Sequence, residues 1–249
     1  MKIVVCVKRV PDTEARIRIA GDGRSADPAG VKFITNPYDE FAVEAALRLR
    51  EAAGEGEVVA LTVGGPEAAE TLRAVLAMGA DRAVLLRAEG APEGNAVAEA
   101  IAAELREQSF DVALFGMKAI DDDLQAVGAM VGERLQLPTA TSVTEFRVEG
   151  SRVTADREVE GGIEVVELQT PCVLTITKGP YEPRYASLKG IMAAKKKPLE
   201  EKEAATGEAR SRVESLSYPP ERQSGRIVGQ GPDAVPELVR LLREEAKVI

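Results

Sequence analysis

The feature that most constrains the fold is a regular alternation of short apolar segments with amphipathic segments over residues 1–135. The apolar segments KIVVCVKRV, EVVALTVGG, RAVLLRA and DVALFGM are typical of buried strands, and the segments between them have the apolar spacing of helices. Parallel strands need crossover connections, which helices usually supply. The pattern therefore predicts an α/β fold of the Rossmann-like, doubly wound kind, with a mostly parallel sheet.

Local signals predict where two of the helices begin. Asn36 stands before Pro37 at the start of NPYDEFAVEAALRLREA, so we expect Asn36 to be the N-cap, and Asp39 completes a capping-box pattern. In the segment GMKAIDDDLQAVG, residues 116–128, we expect a helix to begin near Asp123 or Leu124, with Asp123 as its cap.

The period of the sequence changes after Pro138. The segments TSVTEFRVEG, SRVTADREVE, GGIEVVELQ and PCVLTITKG alternate apolar and polar residues, which predicts antiparallel hairpins at one edge of the same sheet. We therefore expect one Rossmann-like domain over residues 1–197. Residues 198–249 are rich in Pro, Gly and charge and end in the helical pattern AVPELVRLLREEAKVI, which predicts an extended C-terminal arm that either covers a partner or folds back on its own domain.

Composition narrows the function. The net charge of −9 disfavours nucleic acid and anionic lipid as partners, and no stretch approaches the roughly 20 apolar residues of a membrane span, so the protein is not expected to be membrane-embedded. Without a signal-peptide pattern, and with Cys6 and Cys172 inside apolar runs, a cytoplasmic location with reduced thiols is expected. The absence of histidine argues against a zinc site or a histidine-based triad, and we predict no metal site and no catalytic residue set.

Ligands of doubly wound sheets bind beyond the carboxyl ends of the strands. Four segments should meet there: VKRV, the helix start at Asn36, TVGG, and FGMKAIDDDLQAVG. The G-x-G-x-x-G fingerprint and the P-loop are both missing, so any nucleotide must be held differently. We expect Lys8 and Arg9 to be a solvated rim, and the basic run Lys195–Lys197 to be solvated as well.

The three successive aspartates of the fourth segment allow more than one interpretation. The helix start that follows them would attract a phosphate, with Gly116 and Gly128 allowing close backbone approach, while Asp121 and Asp122 orient the loop and accept from ligand hydroxyls or neighbouring amides. Alternatively, the acids only complement the helix dipole. A magnesium site is the least favoured interpretation, because successive residues on a turn point in different directions.

Five blocks, in order, carry a family resemblance: NPYDEFAVEAA, LAMGADRA, GMKAIDDDLQAVG, REVEGGIEVVELQTPCV and EPRYASLKGIMAAKKKPLE. Together they resemble the beta subunit of electron-transfer flavoproteins over nearly all of residues 1–200. The resemblance implies a non-catalytic electron carrier: a heterodimer whose alpha subunit holds most of the FAD site, with the C-terminal arm of this chain wrapped onto alpha. Its electrons would come from acyl-CoA dehydrogenases and similar flavoenzymes and pass to a membrane flavoprotein–quinone oxidoreductase.

The resemblance also implies an AMP with a structural role in this chain. The AMP site carried over from the family comprises Cys6, Asn36, Val63, Gly116, Asp122, Asp123, Gln125, Ala126 and Val127. Glu158 falls where the family has an acid that is important near the flavin and the electron-transfer contact. The alternative is an acid on the surface of a hairpin.

The block RYASLKGIM matches the family's recognition loop, in which a leucine, here Leu188, inserts into an apolar pocket of a dehydrogenase. The residues implied in partner recognition are Tyr185, Leu188, Ile191 and Met192.

Three further functions stay open. Electron-bifurcating members hold a second FAD where most members of the family hold AMP. The N-terminal block KRVPDTE favours the bifurcating type. The AMP-binding type is favoured by the blocks IDDDLQAVG, EPRYASL and AKKKP. A stand-alone nucleotide-binding regulatory domain, which would be monomeric, is the second of these functions, and an ATP-using enzyme acting at the same strand ends is the third.

Overall fold

The computed structural model describes residues 1–90, 92–221 and 224–249; Arg222 and Gln223 of the predicted arm lie outside this set. In chain order the elements are β1 Lys2–Cys6, β2 Arg9–Pro11, β3 Phe33–Thr35, α1 Pro37–Ala53, β4 Glu57–Gly64, α2 Ala68–Met78, β5 Arg82–Arg87, α3 Gly94–Arg106, β6 Val112–Gly116, α4 Val127–Leu135, β7 Thr139–Glu149, β8 Arg152–Val159, β9 Gly162–Gln169, β10 Cys172–Ile176, α5 Leu188–Ala194, β11 Leu199–Glu203 and α6 Val235–Glu244. A short 3₁₀ turn, Pro232–Ala234, precedes α6.

Nine of these strands form one sheet in the order β11-β5-β4-β1-β6-β10-β7-β8-β9. The strands from β11 to β7 pair in parallel, and β7, β8 and β9 pair antiparallel. The chain winds outward from β1 through β4 and β5, then returns to place β6 on the other side of β1. The predicted doubly wound, mostly parallel α/β fold with antiparallel edge strands is confirmed.

Two apolar layers cover the two faces of the sheet because successive strand residues point in opposite directions. Ile3 and Val5 of β1 pack in one layer with α1 and α2, whereas Val4 and Cys6 pack in the other with α3 and α4. The near-continuous apolar runs of the central strands are explained by this burial on both faces.

The structure corrects one predicted strand pairing. The segment PCVLTITKG was expected in an antiparallel hairpin, but β10 inserts between β6 and β7 and is parallel to both. All five residues of β10 are buried. A strand that is covered on both faces has no need of alternating polar residues. The alternation that predicted antiparallel hairpins was therefore misleading for β10.

The first compact unit of the chain extends beyond the predicted boundary at residue 197. Strand β11 pairs with β5 and completes one edge of the sheet, and this unit runs to Glu214. Residues 215–249 form a second unit, which contains α6. Among the described residues, no helix combines the length and apolar character needed to cross a bilayer.

Candidate functional site

The carboxyl ends of β1, β4 and β6 lie side by side, because Cys6 is paired with Leu61 on one side and with Phe115 on the other. The winding of the sheet reverses at β1, so this edge is the crevice where ligands of doubly wound sheets bind. The Thr62 hydroxyl donates to the Val7 carbonyl at 2.6 Å and ties β4 to the end of β1.

Asp39 links two of these strand ends. Its carboxylate accepts the backbone N–H of Lys8 at 2.7 Å and that of Gly116 at 3.1 Å. Burial raises the pKa of Asp39 to about 7, although its hydrogen bonds favour the charged form. Burial, and then the charge of Asp39, raise the pKa of the Cys6 thiol well above its ordinary value, so Cys6 stays a neutral thiol.

Asn36 is the N-cap of α1 by position, as predicted, but its side chain makes no capping hydrogen bond. Its amide nitrogen donates to the carbonyl of Lys118 at 2.8 Å, and its amide oxygen accepts the N–H of Ile120 at 3.2 Å. The predicted capping box of Asn36 and Asp39 is therefore wrong, because both side chains bond to the crevice. Asn36 fixes the loop that follows β6.

The aspartates of that loop are paired with lysines. Lys8 Nζ lies 2.8 Å from both Asp121 Oδ1 and Asp122 Oδ2, and Lys118 Nζ lies 2.9 Å from Asp123 Oδ1. Burial opposes the charge on Lys8, but the hydrogen bonds to Asp121 and Asp122 outweigh it and raise its pKa. The Lys8 side chain is 42% exposed, as expected of a solvated rim, but it is also paired with two carboxylates, which the sequence did not predict.

The helix after the loop begins later than predicted. Helix α4 starts at Val127 with Ala126 as N-cap, so Asp123 is not its cap. Asp123 and Gln125 have φ values of 49° and 56°, in the left-handed region, which interrupts a continuous helix. Asp122 does accept a neighbouring amide, that of Leu124 at 3.1 Å, as expected of the loop aspartates.

The AMP-site residues implied by the family resemblance collect at the crevice and along its loop. Cys6 and Val63 lie near the ends of β1 and β4, and Gly116 ends β6. The loop from Asp122 to Gln125 is exposed. Gly128 packs so closely on Phe115 and Thr175 that a Cβ there would lie 2.6 Å from the Thr175 methyl group, so the start of α4 is held against the end of β6.

Glu158 and the predicted recognition residues lie elsewhere. Glu158 is exposed on β8, opposite Ile163 of the edge strand β9. Residues 183–194 form what we call the docking segment, which includes α5. Its exposed apolar side chains are Tyr185 (98% exposed), Leu188 (82%), Ile191 (46%) and Met192 (71%).

Residues 26–206 match the electron transfer flavoprotein domain. The chain is 42% identical over 251 residues to the electron transfer flavoprotein subunit beta of Bradyrhizobium diazoefficiens, covering 100% of both chains. It is 39% identical over 260 residues to the subunit beta of Bacillus subtilis, again covering 100% of both. The chain belongs to the electron transfer flavoprotein family, as a beta subunit.

Beta subunits of electron transfer flavoproteins are, by their name, parts of an electron carrier with an alpha partner. A further relative is the caffeyl-CoA reductase-Etf complex subunit CarD of Acetobacterium woodii, 40% identical over 202 residues that cover 80% of this chain and 77% of that protein.

Sequence reasoning missed three features of this electron transfer flavoprotein subunit. It did not identify Asp39 as the link between strand ends, Lys118 as a partner of Asp123, or the role of Lys197. Lys197 Nζ donates to the carbonyls of Leu76 and Ala80 at the end of α2, so the run Lys195–Lys197 is not wholly solvated. The one sequence feature that could have predicted these ion pairs was the run of three aspartates, because adjacent carboxylates are stabilised by nearby cations.

Proposed function

We propose that this chain pairs with an FAD-carrying alpha subunit and carries electrons from acyl-CoA dehydrogenases and similar flavoenzymes to a membrane flavoprotein–quinone oxidoreductase. The chain itself supplies binding surfaces and no bond-making residue. The cytoplasm stays the predicted location; the relatives include bacterial beta subunits and a mitochondrial one from Oryza sativa.

The observation that carries this proposal is the exposed apolar side chain of Leu188. A leucine that is 82% exposed at the start of a short helix contributes nothing to the core of this chain. Exposed apolar groups that lie together mark partner surfaces, and Tyr185 and Met192, close to Leu188 in sequence, are exposed as well. A small patch with one central anchor suits brief encounters with several dehydrogenases.

The residues of the crevice fit an AMP. The first N–H groups of a helix lack intrahelical acceptors, and α4 begins at a residue with no side-chain acceptor, so its amides suit a phosphate. Lys8 and Lys118 neutralise much of the acidic loop, which otherwise would repel that phosphate. Val63, partly exposed at the end of β4, provides less polar surface of the kind expected beside an adenine.

The choice of AMP over a second FAD depends on Asp122. It stands where bifurcating members tend to have glycine, and its carboxylate is committed to Lys8 and to the amide of Leu124. Compared with glycine, Asp122 adds a side chain and a negative charge at a place where the second phosphate of an FAD would need room.

When bound, the shared FAD would supply one-electron and two-electron redox chemistry. The residues of this chain would bind and orient: the crevice would hold the AMP, Glu158 would lie near the flavin, and the docking segment would bring the dehydrogenase within reach. The C-terminal arm would hold alpha.

The decisive experiment is to co-express both subunits, denature the purified complex and quantify the released nucleotides. One FAD and one AMP per heterodimer support the proposal. Two FAD per heterodimer would show that this chain binds a second FAD, as the bifurcating members do, and not AMP. A monomer that does not associate with alpha would favour the stand-alone regulatory domain, and nucleotide turnover by the purified protein would favour the ATP-using enzyme.

A further inference from the structure

The docking segment is attached to α1 by one arginine at its beginning. Arg184 Nε lies 2.8 Å from Glu44 Oε2, and its Nη2 lies 3.1 Å from Glu44 Oε1. Its Nη1 donates to Glu51 at 2.6 Å. A guanidinium held by two carboxylates in this forked geometry has little freedom to turn, so the backbone at Arg184 is fixed on α1.

Glu44 makes this attachment strong because it is buried, with 3% of its surface exposed. Burial opposes its charge, but the hydrogen bonds from Arg184 and Arg48 outweigh it and lower the pKa of Glu44. The hydrogen bond to Glu51, followed by those to Glu44, raises the pKa of Arg184. Arg48 also donates to the carbonyl of Pro180 at 3.0 Å, just before the segment.

The two halves of the docking segment are supported differently. The second half packs on α2: a Cβ at Gly190 would lie 2.5 Å from the Ala77 carbonyl, and Arg73 Nη1 donates to the carbonyl of Ala194 at 2.6 Å. Residues of both halves, Pro183 to Ala186 as well as Ile191 and Ala194, line a cavity of about 860 Å³ between the segment, α1 and α2. In the first half, Ala186 packs against the apolar core, and the ion pairs of Arg184 tie the chain leading to Tyr185 and Leu188 to α1.

We propose that Arg184 is a positioning residue for docking: its ion pairs with Glu44 and Glu51 hold the segment so that Leu188 is presented in its binding conformation before a dehydrogenase arrives. This inference rests on the proposed function of the segment. A loop already ordered in the free protein does not lose that conformational freedom on binding, so affinity rises without any new contact.

The test compares Arg184→Gln, Leu188→Ala and the double variant in the co-expressed heterodimer, with a purified acyl-CoA dehydrogenase, reduced by its acyl-CoA substrate, as electron donor. We expect Arg184→Gln to raise the KM for the carrier about tenfold, with kcat, flavin content and reduction by dithionite unchanged. Because Arg184 acts through Leu188, the double variant should resemble Leu188→Ala alone. Arg184→Lys, which keeps the charge but loses the fork, should be intermediate.

Arg106→Gln is the control, because Arg106 lies on α3, on the other face of the sheet from α1, and pairs with Glu99 at 3.7 Å. It should leave KM unchanged. If Leu188→Ala raises KM and Arg184→Gln does not, or if the two effects simply add, the positioning role is wrong while the docking function stands. If neither raises KM, the docking function itself fails. Should Arg184→Gln not fold, Glu51→Gln removes the exposed half of the attachment and must raise KM by a smaller factor.

Discussion

The side chain of Asp39 lies 3.1 Å from the backbone nitrogen of Gly116 and accepts its N–H from within the first turn of a neighbouring helix. The same carboxylate accepts the N–H of Lys8 at 2.7 Å, so one buried group joins the ends of β1 and β6. The geometry of the candidate nucleotide crevice therefore depends on a residue that contacts two backbones and lies beneath the crevice.

The first prediction concerns Asp39→Asn. Burial raises the pKa of Asp39 from 3.8 to about 7, so the folded protein holds this proton more tightly than the unfolded chain does. Ionisation of Asp39 therefore costs stability, and the cost grows as pH rises from about 4 to about 7, by at most about 1.4 kcal/mol per pH unit. Asparagine cannot ionise, and its NH₂ group would face one of the two N–H donors.

We expect Asp39→Asn to lower the free energy of unfolding by about 1–3 kcal/mol at pH 5, with a smaller deficit at pH 7.5. Urea denaturation at several pH values measures both quantities. A deficit that stays constant, or widens as pH rises, would contradict the assignment of a raised pKa.

The second prediction concerns Gly116→Ala. A Cβ at Gly116 would overlap the carboxylate of Asp39 and lie 2.7 Å from the Asp39 backbone nitrogen. The backbone of α1 would have to shift to make room, which costs free energy. We expect the substitution to cost about 1–3 kcal/mol of stability, as overpacking usually does. Gly162→Ala is the matched control, since a Cβ there meets nothing within 4 Å. Equal melting temperatures for the two variants would show that the crevice adjusts freely.

The parts of the fold predicted from sequence are those whose cause is local. Apolar runs and helical spacing located the central strands and helices, because burial on both faces of a parallel sheet leaves a continuous apolar signature. The insertion of β10 between β6 and β7 was missed because pairing partners are set by contacts distant in sequence.

The candidate site divides in the same way. Its position at the strand ends follows from the winding of the sheet, but the partners of its charges do not. Lys8 and Asp122 are 114 positions apart and meet only after folding. The spacing of Asp39 from Asn36 matched a capping box. In the structure, however, its carboxylate accepts the backbone N–H groups of two strand ends.

The third prediction concerns Lys8→Ala. Loss of this lysine leaves Asp121 and Asp122 without their ion-pair partner, beside the helix start proposed to hold a phosphate. We expect the affinity of the heterodimer for AMP to fall about fivefold, which matches the roughly 1 kcal/mol of a partly exposed ion pair. The control is Lys32→Ala, which removes an exposed pair with Asp12 on another loop. Calorimetric titration of AMP into nucleotide-depleted heterodimer measures the change. Equal affinities for both variants would show that Lys8 does not contribute to AMP binding.

The fourth prediction concerns Leu188→Ala. Truncation of a central apolar anchor removes its contact with the dehydrogenase pocket while nothing in the core of this chain changes, since Leu188 is 82% exposed. We expect electron acceptance from an acyl-CoA dehydrogenase to slow at least about tenfold at low carrier concentration, with flavin absorbance and melting temperature unchanged. Stopped-flow flavin reduction measures the rate. Val213→Ala, at another exposed apolar side chain, should leave that rate unchanged.

The fifth prediction concerns helix α6. Val235, Leu238 and Val239 are exposed and share one face, and the opposite face carries the ion pairs of Arg240 with Glu237 and Glu244. An apolar face left exposed on a short helix is expected to be covered by the alpha subunit. We therefore expect Leu238→Asp to weaken association with alpha about tenfold or more, because a charge would be buried without a partner. Glu244→Ala, on the opposite face, should leave association intact. Equal dissociation constants for the two variants, measured by analytical ultracentrifugation of the co-purified subunits, would remove α6 from the interface.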